Sequence, residues 1–158
     1  MRIYVLRHGI AEERRPGRPD AARKLTPEGK QKLSRVLERA RQAVPPPGLI
    51  LSSPLVRAVE TAAIAAEVLG YRGDIVETDA LLPASTPQQL WQEIQRRKDA
   101  ESLLLSGHEP HLSASIAFLL GAPGILIDLK KGALVHLQVE PGGNPRAVLQ
   151  WMLTAKLA

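Results

Sequence analysis

The segment Met1–Gly9 reads MRIYVLRHG: an apolar run, Ile3–Leu6, stops abruptly on Arg7, His8 and Gly9. A short continuous run of apolar residues bounded by polar ones is the pattern of a strand buried on both faces of a parallel sheet. Charge is expelled from a core unless something pairs with it, so a strand that ends on an arginine and a histidine needs a reason.

The pattern recurs. Leu49–Leu51 is a second run, closed by Ser52 and Ser53, and Leu103–Leu105 is a third, closed by Ser106, Gly107 and His108. A weaker strand is predicted over 74–78. Helices are predicted between the strands. Thr26 followed by Pro27 offers a capping hydroxyl and then a residue whose missing N–H costs nothing in the first turn. Leu33, Val36, Leu37, Ala40 and Val44 follow on one helical face, ended by PPPG at 45–48. After Pro54, the spacing of Leu55, Val59, Ala62, Ala63, Ala66 and Leu69 predicts a second helix buried through those residues and stopped by Gly70. Thr86–Pro87 starts a third. Pro110 opens a fourth, carrying Ile116, Phe118, Leu119 and Leu120. The end of the chain, ALVHLQV, EPGGNP and RAVLQWML, is read as an antiparallel hairpin.

Strands alternating with helices predict an α/β fold, a three-layer α/β/α arrangement around a mostly parallel sheet, with residues 1–158 forming a single domain. The 44% hydrophobic content with only 3% aromatic residues calls for an aliphatic core. With no cysteine there is no disulfide framework, thiol nucleophile or thiolate metal ligand, which is compatible with a cytoplasmic setting. The N-terminus turns charged too early for a signal peptide, and no run approaches the roughly 18 apolar residues of a membrane span. Twenty-one Lys and Arg against 16 Asp and Glu give a net charge of +5, which favours anionic partners without choosing among them.

In parallel sheets ligands bind beyond the carboxyl ends of the strands. Three such ends bring Arg7, His8 and Gly9, then Ser52, Ser53 and Arg57, then Ser106, Gly107 and His108 to one edge. Two imidazoles, two guanidiniums and two helix N-termini suit a dianionic phosphoryl group, because guanidinium forks match phosphate oxygens and stay charged. A neutral His8 could then attack phosphorus while Arg7, Arg57 and His108 offset charge on the equatorial oxygens. Taken singly, each residue has a plainer reading: His8 as a structural histidine, Arg7 paired with Glu60, Arg57 on a helix surface, Gly107 in a turn.

The ordered set LRHG, LTPEGKQ, SSPLVRAVETA and SGHEPHL resembles the histidine phosphatase superfamily, and most closely its small phosphohistidine phosphatase (SixA-like) branch. The resemblance covers almost the whole chain. It implies a phosphoglycerate mutase-like fold, a phosphohistidine intermediate on His8, a phosphate pocket of Arg7, Arg57 and His108 lined also by Gly9, and no metal or other cofactor. Family members acting on oxygen esters usually carry a carboxylic acid after a middle strand or directly after the second histidine. The middle segment ALLPASTPQQL contains none, which favours an imidazole leaving group over an alkoxide. Glu109, directly after His108, is the possible acid; its alternative is a place in the first helical turn, where it favours the dipole.

Other polar residues are assigned to structure. His111 lies three residues from His108, but Pro110 intervenes and no third zinc ligand is evident. His136 falls inside a strand. Glu12 and Glu13 belong to the rim, and the KKG of 130–132 could extend a positive rim towards a phosphoprotein, although a surface charge pair is the commoner explanation. The leading expectation is a metal-independent phosphatase acting on phosphohistidine in a protein. The alternatives are a phosphomonoesterase or mutase acting on small phosphate esters such as sugar phosphates or nucleotides, and a non-catalytic phosphate- or nucleic-acid-binding module. Nucleic acid is disfavoured, because no aromatic stacking series or recognised motif is present.

Overall fold

Local signals start and stop the helices largely where the sequence places them. In the computed structural model, which describes residues 1–140 and 142–158, the Thr26 hydroxyl accepts from the Gly29 N–H at 2.9 Å and opens α1, Pro27–Ala40. Thr86 and Gln89 form a reciprocal capping box at the start of α3, Pro87–Arg96. Helix α2, Val56–Leu69, ends on Gly70 in the left-handed region. Helix α4, His111–Leu119, begins one residue later than the expected Pro110 start. No helix among the described residues is long and apolar enough to cross a membrane.

Six strands form one sheet: β1 Arg2–Arg7, β2 Leu49–Ser52, β3 Ile75–Glu77, β4 Ser102–Gly107, β5 Leu134–Glu140 and β6 Arg146–Leu153. Their spatial order is β3-β2-β4-β1-β5-β6. The four strands β1 to β4 run parallel, while β5 and β6 complete the sheet as an antiparallel pair. The late hairpin is therefore present; of its turn, Pro141 lies outside the described residues.

Alternation along the parallel strands builds the two sides of the core. Tyr4, Leu6, Ile50 and Leu104 face Leu33, Val36 and Leu37 of α1 and Ala62 and Ala65 of α2. Ile3, Val5, Leu51, Leu103 and Leu105 face Leu90, Trp91 and Ile94 of α3 and Leu112 and Ile116 of α4. The result is the expected three-layer α/β/α arrangement, and strands buried on both faces explain the unbroken apolar runs.

One helix face departs from expectation. Helix α2 buries Arg57, Ala58, Thr61, Ala62, Ala65 and Leu69, whereas Ala63 is exposed and Val59 and Ala66 are only partly covered. The expected face is thus rotated, because the true one carries an arginine and a threonine that an apolar template rejects.

Helix α1 approaches the end of β1 backbone to backbone. A Cβ on Gly29 would lie 2.1 Å from the Ile10 carbonyl oxygen, so only glycine permits this contact. It fixes the loop that leaves His8 and Gly9.

Candidate active site

Strand register gathers the candidate residues. Arg7 lies opposite Gly107, and Ser52 opposite Ser106. One step beyond the ladder, the His8 N–H donates to the Gly107 carbonyl at 3.0 Å and the Ser53 N–H to the Ser106 carbonyl at 2.9 Å. His8, Ser53 and His108 consequently share the carboxyl edge of three adjacent strands. The rings of His8 and His108 are neighbours, tilted at 53° to each other with centroids 5.1 Å apart.

The two imidazoles are held through different nitrogens. Nδ1 of His8 donates to the Gly9 carbonyl at 2.7 Å, which puts the ring proton there and leaves Nε2 with a free lone pair. At His108 it is Nε2 that is bonded. The Leu55 N–H donates to Ser53 Oγ, and the same oxygen is hydrogen-bonded to His108 Nε2 at 2.8 Å, a bond that either ring tautomer can make. Burial pushes the pKa of His8 down to about 4, opposed by the bond to Gly9 and reinforced by Arg57, Arg7 and Lys131. Burial, followed by His8 and Arg57, takes His108 to about 3. Both rings are neutral near pH 7.

Two guanidiniums flank them. Arg57 is 3% exposed although it belongs to a helix, which rules out the helix-surface reading. Its Nη1 donates to the Asp20 carbonyl at 3.1 Å and its Nη2 to the Asp20 carboxylate at 3.2 Å. Nη1 of Arg7 donates to the Leu129 carbonyl at 2.7 Å; the expected alternative partner, Glu60, instead accepts from the Leu25 N–H and pairs with Lys30. Burial lowers the pKa of both arginines, countered at Arg7 by Glu109 and Asp128 and at Arg57 by Asp20.

Among the described residues, six buried side-chain nitrogen or oxygen atoms have no partner in the protein, and three of them belong to this site: Arg7 Nε, Arg57 Nε and His108 Nδ1. Leaving a buried donor unsatisfied costs about 1–3 kcal/mol, and more when it is charged. These unpartnered nitrogens, on cationic or neutral residues beside one imidazole, make an environment suited to an anion, with the Nε2 lone pair of His8 at its centre.

The remaining candidates are placed as follows. The Gly9 N–H is engaged by Thr61 Oγ1 at 3.1 Å, so Gly9, expected to line the phosphate, orients His8 through its carbonyl. The Glu109 carboxylate accepts from the Ser113 N–H at 2.8 Å in the first turn of α4. His111 donates from Nε2 to the Ala80 carbonyl and accepts at Nδ1 from Ser115, so both its nitrogens are engaged. His136 stacks on Tyr4 and meets Trp151 edge-on. Glu12 organises its loop: its carboxylate accepts from the Lys24 N–H and pairs with Arg18.

Two participants were missed in the sequence. Asp20 latches Arg57 and also pairs with Arg14 and Arg23. Its signal was a lone acid among arginines in RRPGRPDAARK. Thr61 donates to the Arg57 carbonyl at 2.7 Å while accepting from Gly9, and so ties the two arms of the site together. Its spacing of four from Arg57 puts it on the same helical face.

A strand-end cradle of two arginines and two histidines on this sheet defines a class of phosphoryl-handling α/β protein. The model of the histidine phosphatase superfamily (branch 1) matches residues 3–82. The chain belongs to the histidine phosphatase superfamily. Among curated proteins it is 34% identical over 146 residues to an uncharacterized protein of Picosynechococcus sp., covering 87% of this chain and 85% of that one. Among solved structures it is similar to the protein histidine phosphatase SixA complexed with tungstate, with a TM-score of 0.86 at 19% identity over 99% of this chain and 98% of that chain. It is also similar to a phosphoserine phosphatase mutant from Entamoeba histolytica in complex with phosphoserine, with a TM-score of 0.71 at 15% identity over 98% of each chain. These structural likenesses establish the phosphoglycerate mutase-like fold.

Proposed function

We propose that this chain is a phosphatase of the small phosphohistidine phosphatase branch, which takes a phosphoryl group from a phosphohistidine side chain of a protein onto His8 and then gives it to water. The observation that carries the reading is the neutral His8 ring, whose proton is held on Nδ1 by the Gly9 carbonyl while unpartnered nitrogens of Arg7, Arg57 and His108 belong to the same site. In the first step His8 Nε2 forms a bond to phosphorus as the phosphorus–nitrogen bond of the substrate breaks, and the leaving imidazole takes a proton from water. In the second, water attacks the phosphohistidine, inorganic phosphate leaves and His8 returns to its starting state. Arg7 and Arg57 offset charge on the equatorial oxygens, and Nδ1–H of His108 donates to one of them.

The choice of phosphohistidine over an ester rests on the carboxylates around the cradle. Burial raises the Asp20 pKa, but Arg57, Arg23 and Arg14 together hold it below the ordinary value, so it stays ionised and is a poor proton donor. Glu109 is bonded into α4. An imidazole leaves with less help from an acid than an alkoxide does. The full-length fold match to SixA agrees with this branch.

A second reading, a phosphomonoesterase or mutase acting on small esters, is favoured by one observation: the Glu109 carboxylate sits close enough to Arg7 to oppose the effect of burial on its pKa. A side-by-side assay of a phosphohistidine protein and a panel of sugar phosphates and nucleotides separates the two. The proposal expects kcat/KM to favour phosphohistidine and Glu109→Gln to leave that activity within about twofold. Faster ester hydrolysis that collapses in Glu109→Gln contradicts it.

A further inference from the structure

Beside the cradle, on the side of β1 away from Arg57, lies a second cavity of ≈ 690 Å³ whose walls include Arg7, Lys32, Lys130, Lys131 and Lys156. Its size is that of a ligand pocket. The lysines come from three separate places: α1, the turn before β5, and the segment after β6. One carboxylate, Asp128, is in the lining and is bonded to Lys130 at 2.6 Å. Lys32 is bonded to Glu28 at 2.6 Å. Among the described residues, Lys131 and Lys156 have no such ion pair.

Lys131 is not on a free loop. The next residue, Gly132, has a φ of +74°, and its N–H is shared by the carbonyls of Arg7 and His8, each at 3.1 Å; the Ala133 N–H donates to the Lys130 carbonyl at 3.0 Å and closes the turn. The turn that presents Lys131 is thus pinned to the two residues at the centre of the site. Arg7 lines the cavity and also flanks His8, so a group bound there would lie beside the phosphoryl in the cradle. The charge of Lys131 is felt at the His8 ring, which is consistent with one continuous field across both.

We infer that this lysine-walled cavity is a second anion site, taking a carboxylate or phosphate carried by the same substrate molecule that presents its phosphoryl group to His8. The inference rests on the phosphatase reading above and deepens it: the substrate is at least doubly anionic, with its second charge next to the scissile bond. A shared wall at Arg7 argues for one bridging molecule rather than a separate effector. The lysines supply charge and reach without a fixed fork, which suits carboxylate and phosphate alike.

The test compares kcat/KM within two pairs of substrates, for the wild type and for the double variant K131A/K156A. One pair is a phosphohistidine peptide with two aspartates flanking the histidine and the same peptide with asparagines. The other is a hexose monophosphate and the corresponding bisphosphate. The wild type should favour the more anionic member of at least one pair by about 5- to 20-fold, a preference that falls to within about twofold of unity in the double variant. The pair that shows the effect names the source of the charge. Equal treatment of both pairs by the wild type, or a preference that survives in the double variant, overturns the inference. Hydrolysis of none of the four by the wild type is a different result, which sinks the phosphatase reading and this inference with it.

Discussion

Arg57 and Asp20, 37 residues apart in the chain, are joined twice, through the main-chain carbonyl of Asp20 at 3.1 Å and through its carboxylate at 3.2 Å. The pair fixes the direction of a buried guanidinium and leaves its Nε–H unpartnered. It also sets a negative charge at the edge of a site suited to an anion. Orientation and repulsion therefore act in opposite senses through one side chain.

Asp20→Asn separates those senses, because the amide keeps an oxygen acceptor for Arg57 and loses the charge. Inorganic phosphate should inhibit the variant about 3- to 10-fold more tightly than the wild type, as expected from removing a partly screened charge near a dianion. Inhibition constants measured at constant ionic strength test this. Unchanged or weaker inhibition would mean that the carboxylate acts only as an anchor.

Thr61 is a positioning residue: its hydroxyl accepts from the Gly9 N–H and donates to the Arg57 carbonyl. Thr61→Val keeps the shape and strands a buried N–H next to His8. The expected loss is about 2 kcal/mol, a fall in Tm of roughly 4–8 °C. The fall in kcat should exceed the change in KM, while Thr61→Ser restores most of both. Calorimetry and steady-state kinetics on the two variants check it.

The buried histidines make stability depend on pH. His8 and His108 titrate at about 4 and about 3 in the folded chain, against an ordinary value of 6.5. The unfolded chain therefore binds more protons in this interval, so stability is fully present above pH 6.5 and is lost as pH falls from there towards 4. Denaturant midpoints measured across pH 4–7.5 should fall with acidity, with a shallower slope in His108→Gln. Saturating phosphate should raise both histidine pKa values, as read by their NMR ring-proton shifts, because a bound dianion favours the charged rings.

The strands and three of the four basic residues were legible because strands covered on both faces must be apolar throughout, so Arg7, His8 and His108 stand out where each run stops. The phase of α2 was not. Its buried face includes Arg57 and Thr61, which serve the site, while its exposed face includes Ala63, so polarity and burial disagree there. Asp20 was hidden for a different reason. It lies in a charged loop with no periodicity, and its contact with Arg57 exists only once β1, α2 and that loop have come together. Gly9 was found as a residue of the site, but its neighbour Thr61 decides which of its groups is free, and no local pattern reports that.

The central claim is that Nε2 of His8 receives the phosphoryl group. Enzyme mixed with an isotopically labelled phosphohistidine protein, quenched within milliseconds in alkali and digested, should yield one labelled peptide, stable to base and labile to acid, with the phosphate on Nε2 of His8. His8→Ala should yield none and show no turnover. Label on any other residue, or turnover retained in His8→Ala, would contradict the account.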